Sequence, residues 1–316
     1  SFTPVLGRLR AGNIALVCQS GGIAHILSYH AIREGVGFSK VVGLGNRSDV
    51  DFTDMLEFLA EDRETEVILM HIEGVEDARG LLEAARRVSG RKPIIAYKTG
   101  RTQAVRRAVY SHTGSLAGRF ELYEAAFKQA GVMVVNDLLE MIDAAKTLAK
   151  LPPPGGGRVA IISKEAGPSI VAVDTCVSHG LTLARFSTNT LERLGALMPP
   201  FTAHARVNPV DMPFTSREAW AEAVQVLLED GGVDALLLIT LHHPTFQVPT
   251  HELIQLLRRY GKPIVASITT VGGEWLEELS RLEGGGIPVY PTPERAAKAL
   301  AFLARYGEIR RKLHRG

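Results

Sequence analysis

The chain is written twice. The stretch NIALVCQSGGIAHILSYHAIREG (13–35) aligns without a gap on RVAIISKEAGPSIVAVDTCVSHG (158–180). RKPIIAYKTG (91–100) resembles GKPIVASITT (261–270), and GVMVVNDLLEMIDAAKTLAKL (131–151) resembles GIPVYPTPERAAKALAFLARY (286–306). Three matches in the same order predict two tandem copies of one fold. Within the first copy, short apolar runs at 14–17, 41–44, 67–71, 94–97 and 132–135 read as strands. Helical patterns fall between and after them, at 24–34, 53–61, 77–88, 121–130 and 137–149. Nearly all-apolar strands alternating with helices imply a parallel sheet covered on both faces. The fold class expected is therefore α/β, with helices on both faces of a parallel sheet in each copy. Between the copies runs Leu151-Pro-Pro-Pro-Gly-Gly-Gly157, which punctuates rather than builds an element. It divides the chain into expected domains at 1–151 and 158–316.

The length of 316 residues fits two domains and needs no covalent staples. The two cysteines, Cys18 and Cys176, build neither a disulfide framework nor a zinc-ligand spacing and read as reduced and cytosolic. With 36 basic and 34 acidic side chains the net charge is +2, which gives no case for a nucleic-acid or membrane-surface protein. No apolar run approaches the ~18 residues of a membrane helix. The opening SFTPVLGRLRAG has no signal-peptide apolar region and lacks an initial Met, so a processed chain or a fragment is expected.

The copies differ where function usually sits, in loops grafted on the scaffold. The first carries an extra loop, KTGRTQAVRRAVYSHTGSLAGRF (98–120); the second carries MPPFTAHARVNPVDMPF (198–214). In the first loop His112 is flanked by Ser111, Thr113, Gly114 and Ser115, so little bulk shields it. Lys98, Arg101, Arg106 and Arg107 lie just upstream. These residues suit a histidine that accepts a phosphoryl group as nucleophile; a solvated basic loop with an incidental histidine is the alternative. Gln19-Ser20-Gly21-Gly22 lies between a strand and a helix, where Ser20 can cap and a helix N-terminus can hold an anion. A plain tight turn is the competing reading. Glu73, followed by Gly74, closes the third strand and could fix the tautomer of His112, or simply sit in solvent. Gly45 and Asn46 permit unusual backbone near the same edge and are a candidate substrate edge. Asn208-Pro209-Val210-Asp211 reads as a rigid turn in preference to a binding edge.

His242, His243 and His251 do not assemble into a metal set, since adjacent histidines on a strand point apart and only Glu252 adds a carboxylate. No metal is expected. Walker A, GxGxxG, GxSxG and HExxH patterns do not occur.

In combination, QSGG after the first strand, GFSKVVGLGN, LxxLxxD (56–62), HIEGVED, KPIIAYKTGRT and SHTGSLAG resemble the NDP-forming acyl-CoA synthetases of the succinyl-CoA synthetase superfamily. The similarity is greatest to α chains that form ADP. It extends through EAGPS, VDTC, VNPVDMP and GIPVYPTPERAAKAL, and so covers almost the whole chain. EAGPS replaces the more usual glycine pair. The resemblance implies two flavodoxin-like domains. It also implies that His112 becomes phosphohistidine, that Glu73 pairs with it, and that the helix opened by Ser20–Gly22 faces the phosphoryl group. The substrates implied are acyl-CoA and phosphate, with Mg-ADP or ATP on a partner domain. A CoA-binding Rossmann domain and an ATP-grasp domain or subunit are the implied partners, with an oligomer in the cytoplasm and no tightly bound cofactor in this chain. The alternative from another class is a regulatory or ligand-sensing module, as in synthetase-like regions fused to protein lysine acetyltransferases. Retention of both His112 and Glu73 favours catalysis.

Overall fold

A computed structural model describes residues 4–102, 120–242, 246–271, 273 and 275–313. The chain divides into two compact units, Ser1–Ala149 with Glu308–Gly316, and Lys150–Gly307. After a 3-10 turn at Pro4–Arg8, the first unit runs β1 (Arg10–Cys18), α1 (Gly21–Arg33), β2 (Gly37–Gly43), α2 (Phe52–Glu61), β3 (Val67–Ile72) and α3 (Ala78–Ser89). It continues with β4 (Ile94–Lys98), α4 (Phe120–Gln129), β5 (Met133–Val134) and α5 (Leu138–Lys150). All strands are parallel in the order β2-β1-β3-β4-β5. Parallel strands need crossovers, and these are right-handed. The step from β1 to β2 therefore puts α1 on one face. The steps from β2 to β3, β3 to β4 and β4 to β5 run the other way and put α2, α3 and α4 on the opposite face. Phe52, Leu56, Leu81, Ala85 and Phe127 accordingly share one core with Val17, Ile68, Met70 and Ala96.

The second unit repeats this plan. Its strands are β6 (Arg158–Ser163), β7 (Thr182–Leu183), β8 (Val210–Asp211), β9 (Ala235–Leu241), β10 (Ile264–Thr269) and β11 (Val289–Tyr290). Its helices are α6 (Ala166–Ser178), α7 (Thr188–Leu197), α8 (Arg217–Glu229), α9 (Thr250–Tyr260), α10 (Leu276–Gly284) and α11 (Pro293–Leu313), the last running on into residues of the first unit. The order is β11-β10-β9-β6-β7, with β8 also paired to β6. The α/β class, with two parallel sheets flanked by helices, is as the repeat implied.

Several boundaries differ from the sequence reading. The second strand begins at Gly37, not 41, because β2 is an edge strand and tolerates Ser39 and Lys40. β1 begins at Arg10, with a bulge between Ala11 and Ile14. A Cβ on Gly12 would lie 2.4 Å from the Gly37 carbonyl oxygen, so glycine is sterically required at that crossing. Helix α1 starts at Gly21, three residues early, because Ser20 caps it. Asn208 and Pro209, joined by a cis bond, form a turn that feeds β8. The Asn208 side chain completes the ladder there, accepting from Ile161 N at 3.0 Å and donating to Val159 O at 2.8 Å and Ala184 O at 3.1 Å. No helix among the described residues is long and apolar enough to cross a membrane.

Trp220 on α8 is 1% exposed and meets Phe246 edge-on at 5.7 Å in the core of the second unit. Trp220→Ala is expected to cost about 3–5 kcal/mol, the usual penalty for emptying an aromatic core site. A matching fall in the denaturant midpoint would be seen; a loss under about 1 kcal/mol would contradict this packing.

Candidate active site

The strand order changes direction between β1 and β3, and open α/β sheets leave a crevice at the carboxyl ends of the strands there. The residues that follow these strands converge on that crevice. β1 ends at Cys18, and Ser20 turns the chain into α1, its Oγ accepting from Ile23 N at 3.4 Å. The first turn of α1 has no acidic side chain, so nothing on the helix cancels its positive end. Gly21 and Gly22 are exposed, and a Cβ on Gly21 would meet no described atom within 4 Å. Glycine is thus not demanded there by the described packing, and it leaves the backbone open to a ligand.

Gln19 is held differently from its neighbours. It is 5% exposed, and its Oε1 accepts from Glu73 N at 2.9 Å and Gly74 N at 3.2 Å. Through this oxygen Gln19, expected to touch phosphate, ties the end of β3 to the end of β1. Glu73 lies just past β3, half-buried at the crevice. Its carbonyl accepts from Lys98 Nζ at 2.8 Å. Lys98 is fully buried, also donates to Thr99 O, and lies 4.7 Å from the Tyr123 ring centre. Lys98, one of the cations expected near phosphate, donates to these main-chain carbonyls.

Arg101 is similarly committed. It donates to Asn136 Oδ1 at 2.9 Å and to Val135 O, and stacks on Phe120 at 4.5 Å. Thr99 N donates to Ile72 O at 2.9 Å, so the chain leaves β4 alongside Glu73. Arg101 therefore joins the point where the extra loop departs to Phe120, where it returns. His112, Ser111, Thr113, Gly114 and Ser115 lie between these points, outside the described residues, as do Arg106 and Arg107.

On the other flank, Gly45 has φ +55° and Asn46 is exposed after β2. Arg47, also at positive φ, points inward to Asp51 at 3.5 Å and Glu76 at 3.7 Å. His71 is 1% exposed beneath the crevice and shares a hydrogen bond with Thr99 Oγ1 at 2.9 Å. Burial, reinforced by the Lys98 charge, pushes its pKa down to about 4. Cys18 is buried, its Sγ donating to Ser20 O at 3.0 Å, and burial pushes its thiol up to about 12. It is inert as a nucleophile. Sequence reasoning passed over His71 and Arg47. A histidine inside an otherwise apolar strand, two residues before Glu73, was the available signal.

Comparison with known proteins follows this geometry. Residues 11–148, which carry the whole crevice, match the succinyl-CoA ligase-like flavodoxin domain. Over 305 residues the chain is 40% identical to the α subunit of acetate–CoA ligase (ADP-forming) II of Pyrococcus furiosus, covering 94% of this chain and 65% of that one. A solved structure, the dinucleotide-forming acetyl-coenzyme A synthetase 1 of Ca. Korarchaeum cryptofilum with phosphate and ADP, superposes with a TM-score of 0.89 at 31% identity. That superposition covers 97% of this chain and 67% of the other. The chain belongs to the ADP-forming acyl-CoA synthetase family. It spans about two-thirds of the Pyrococcus subunit and 43% of acetate–CoA ligase (ADP-forming) I of Archaeoglobus fulgidus, to which it is 39% identical. Both units of this chain therefore have counterparts in the family, not the crevice-bearing one alone.

The buried neutral His71 has a thermodynamic signature. Its folded pKa near 4 lies below the ordinary value of 6.5, so the unfolded chain binds the extra proton first. Stability from this group is full above about pH 6.5 and is lost as pH falls toward 4. The shift corresponds to about 3 kcal/mol at most. His71→Gln is expected to flatten this part of the stability–pH curve in urea titrations. An unchanged slope would contradict the neutral buried ring.

Proposed function

We propose that this chain is the phosphoryl-carrying part of an ADP-forming acyl-CoA synthetase, with His112 as nucleophile and Glu73 as its partner. The observation that carries the reading is the convergence at one sheet edge. The uncancelled N-terminus of α1, the fixed Glu73 and both ends of the His112 loop meet there.

The chemistry follows from these parts. Acyl-CoA and phosphate give acyl phosphate and free CoA. An imidazole nitrogen of His112 attacks the phosphorus, the P–O bond to the acyl group breaks, and the carboxylic acid leaves. Glu73 accepts the other ring N–H, which orients the ring and stabilises the charge it gains. The α1 N-terminus, through Ser20, Gly21 and Gly22, and the hydroxyls of Ser111, Thr113 and Ser115 hold the phosphoryl oxygens. Mg-ADP then takes the phosphoryl to form ATP, on an ATP-grasp domain or subunit. CoA is held by a Rossmann domain, with Gly45 and Asn46 at the substrate edge. The working enzyme is an oligomer in the cytoplasm. Phosphoryl transfer asks for positioning and charge stabilisation more than covalent machinery, which suits a site built of backbone and loop ends.

The test is the intact mass of the chain after incubation with Mg-ATP and the ATP-grasp part of a relative. A gain of one acid-labile phosphoryl group is expected, absent in His112→Ala. Glu73→Ala should slow its formation by about 10²-fold or more. If the chain gains no mass beside an active partner, the catalytic reading falls, and a ligand-sensing role takes its place.

A further inference from the structure

The main chain of Glu73 is gripped from two sides. Gln19 Oε1 accepts from Glu73 N at 2.9 Å and Gly74 N at 3.2 Å. Lys98 Nζ donates to Glu73 O at 2.8 Å and to Thr99 O, with the Tyr123 ring 4.7 Å away. Both gripping residues are interior, at 5% and 0% exposure. Burying an ammonium group costs several kcal/mol before compensation, and lysine is almost never a core filler. Carbonyl oxygens and an aromatic face compensate it here, but that explains how it is tolerated, not why it is present.

The second unit is a built-in control. Cys18 aligns with Ser163 in the ungapped repeat, and these pair with His71 and Ile239 in their respective sheets. Two residues on, Glu73 therefore corresponds to Leu241. By the same repeat Gln19 corresponds to Lys164, and Lys98 to Ile268. Ile268 is 3% exposed and lies one residue before the end of β10, whereas Lys98 is the last residue of β4. Lys164 turns away, its Nζ donating to Thr215 O at 2.7 Å and lying 4.3 Å from the Phe246 ring centre. The same parallel order forms there with a different hold: the Leu241 N–H donates to the Glu165 carboxylate, and Leu241 O accepts from Thr240 Oγ1 at 3.2 Å. The scaffold does not need Gln19 and Lys98; they accompany the copy that carries the glutamate.

We propose that Gln19 and Lys98 are positioning residues. They fix the backbone of Glu73 so that its carboxylate meets the His112 ring during phosphoryl transfer. This rests on the roles of Glu73 and His112 proposed above. A carboxylate one residue beyond a strand end would otherwise swing with two free backbone dihedrals. Anchoring both its N–H and its C=O removes that freedom, and a misplacement of about 1 Å can cost about 10²-fold in rate.

The experiment is single-turnover phosphorylation of the chain by Mg-ATP and the same ATP-grasp part, reading rate and final stoichiometry separately. Lys98→Ile installs the residue the second unit already carries, so cooperative melting should be kept. Its rate should fall about 10–100-fold while the end point still approaches one phosphoryl per chain. Gln19→Leu should behave alike. Added to Glu73→Ala, Lys98→Ile should change the rate by less than about 2-fold, since it acts through that residue. A wild-type rate in Lys98→Ile overturns the proposal. So does an undiminished loss in the Glu73→Ala background, which would mean direct action on the phosphoryl group. Loss of cooperative melting in Lys98→Ile also overturns it, making the lysine structural. A wild-type chain that takes up no phosphoryl group overturns the His112 reading instead, and is recognised before any variant is compared.

Discussion

Every strand of a parallel sheet ends at the same edge, and this constraint organises the molecule. Right-handed crossovers send α1 to one face and α2, α3 and α4 to the other. The loops after β1 and β3 part in opposite directions and leave a crevice between them. Ser20, Gly21, Gly22 and Glu73 need no long-range coincidence to meet, because the register pairing Cys18 with His71 delivers them side by side. The loop carrying His112 departs from β4, hydrogen-bonded to β3 at Thr99. Topology brings the parts within reach; hydrogen bonds then fix their orientation.

Charge at this edge is distributed with some economy. The helix terminus presents positive potential without a side-chain cation. Lys98 and Arg101, the described cations next to the loop, donate instead to Glu73 O, Thr99 O, Val135 O and Asn136. A phosphoryl group held by backbone N–H and hydroxyl donors can leave for a second site more easily than one gripped by a bidentate arginine. Burial meanwhile silences the other titratable groups nearby. His71 is held neutral and the Cys18 thiol protonated, and burial keeps both side chains from reaching the crevice surface.

The duplicated α/β scaffold was legible in the sequence because apolar period and repeat spacing encode it directly. Glu73 and the glycines of the first loop were legible because a parallel sheet sends such residues to one edge. The start of β2 was not, since an edge strand with one exposed side carries Ser39 and Lys40 without an apolar signal. The role of Lys98 was hidden for a different reason. Charge in a sequence reads as exposure, and only three-dimensional burial against Glu73 O distinguishes this lysine from a solvated one. The hold of Gln19 on β3 was hidden in the same way, because an amide beside glycines resembles a ligand contact until its oxygen is seen to accept from Glu73 N and Gly74 N.

Comparison of the two copies separates what folding requires from what chemistry requires. Positions that agree between them, such as the apolar strands β1 and β6, lie in the sheets and cores. At the switch point three crevice residues, Gln19, Glu73 and Lys98, become Lys164, Leu241 and Ile268, while the strand order is kept. A buried cation at the end of β4 lowers the stability margin of a domain unless it does something the isoleucine cannot. Lysine there is therefore best understood through the glutamate it anchors: removing the carboxylate, as the second copy does, removes the reason for the lysine.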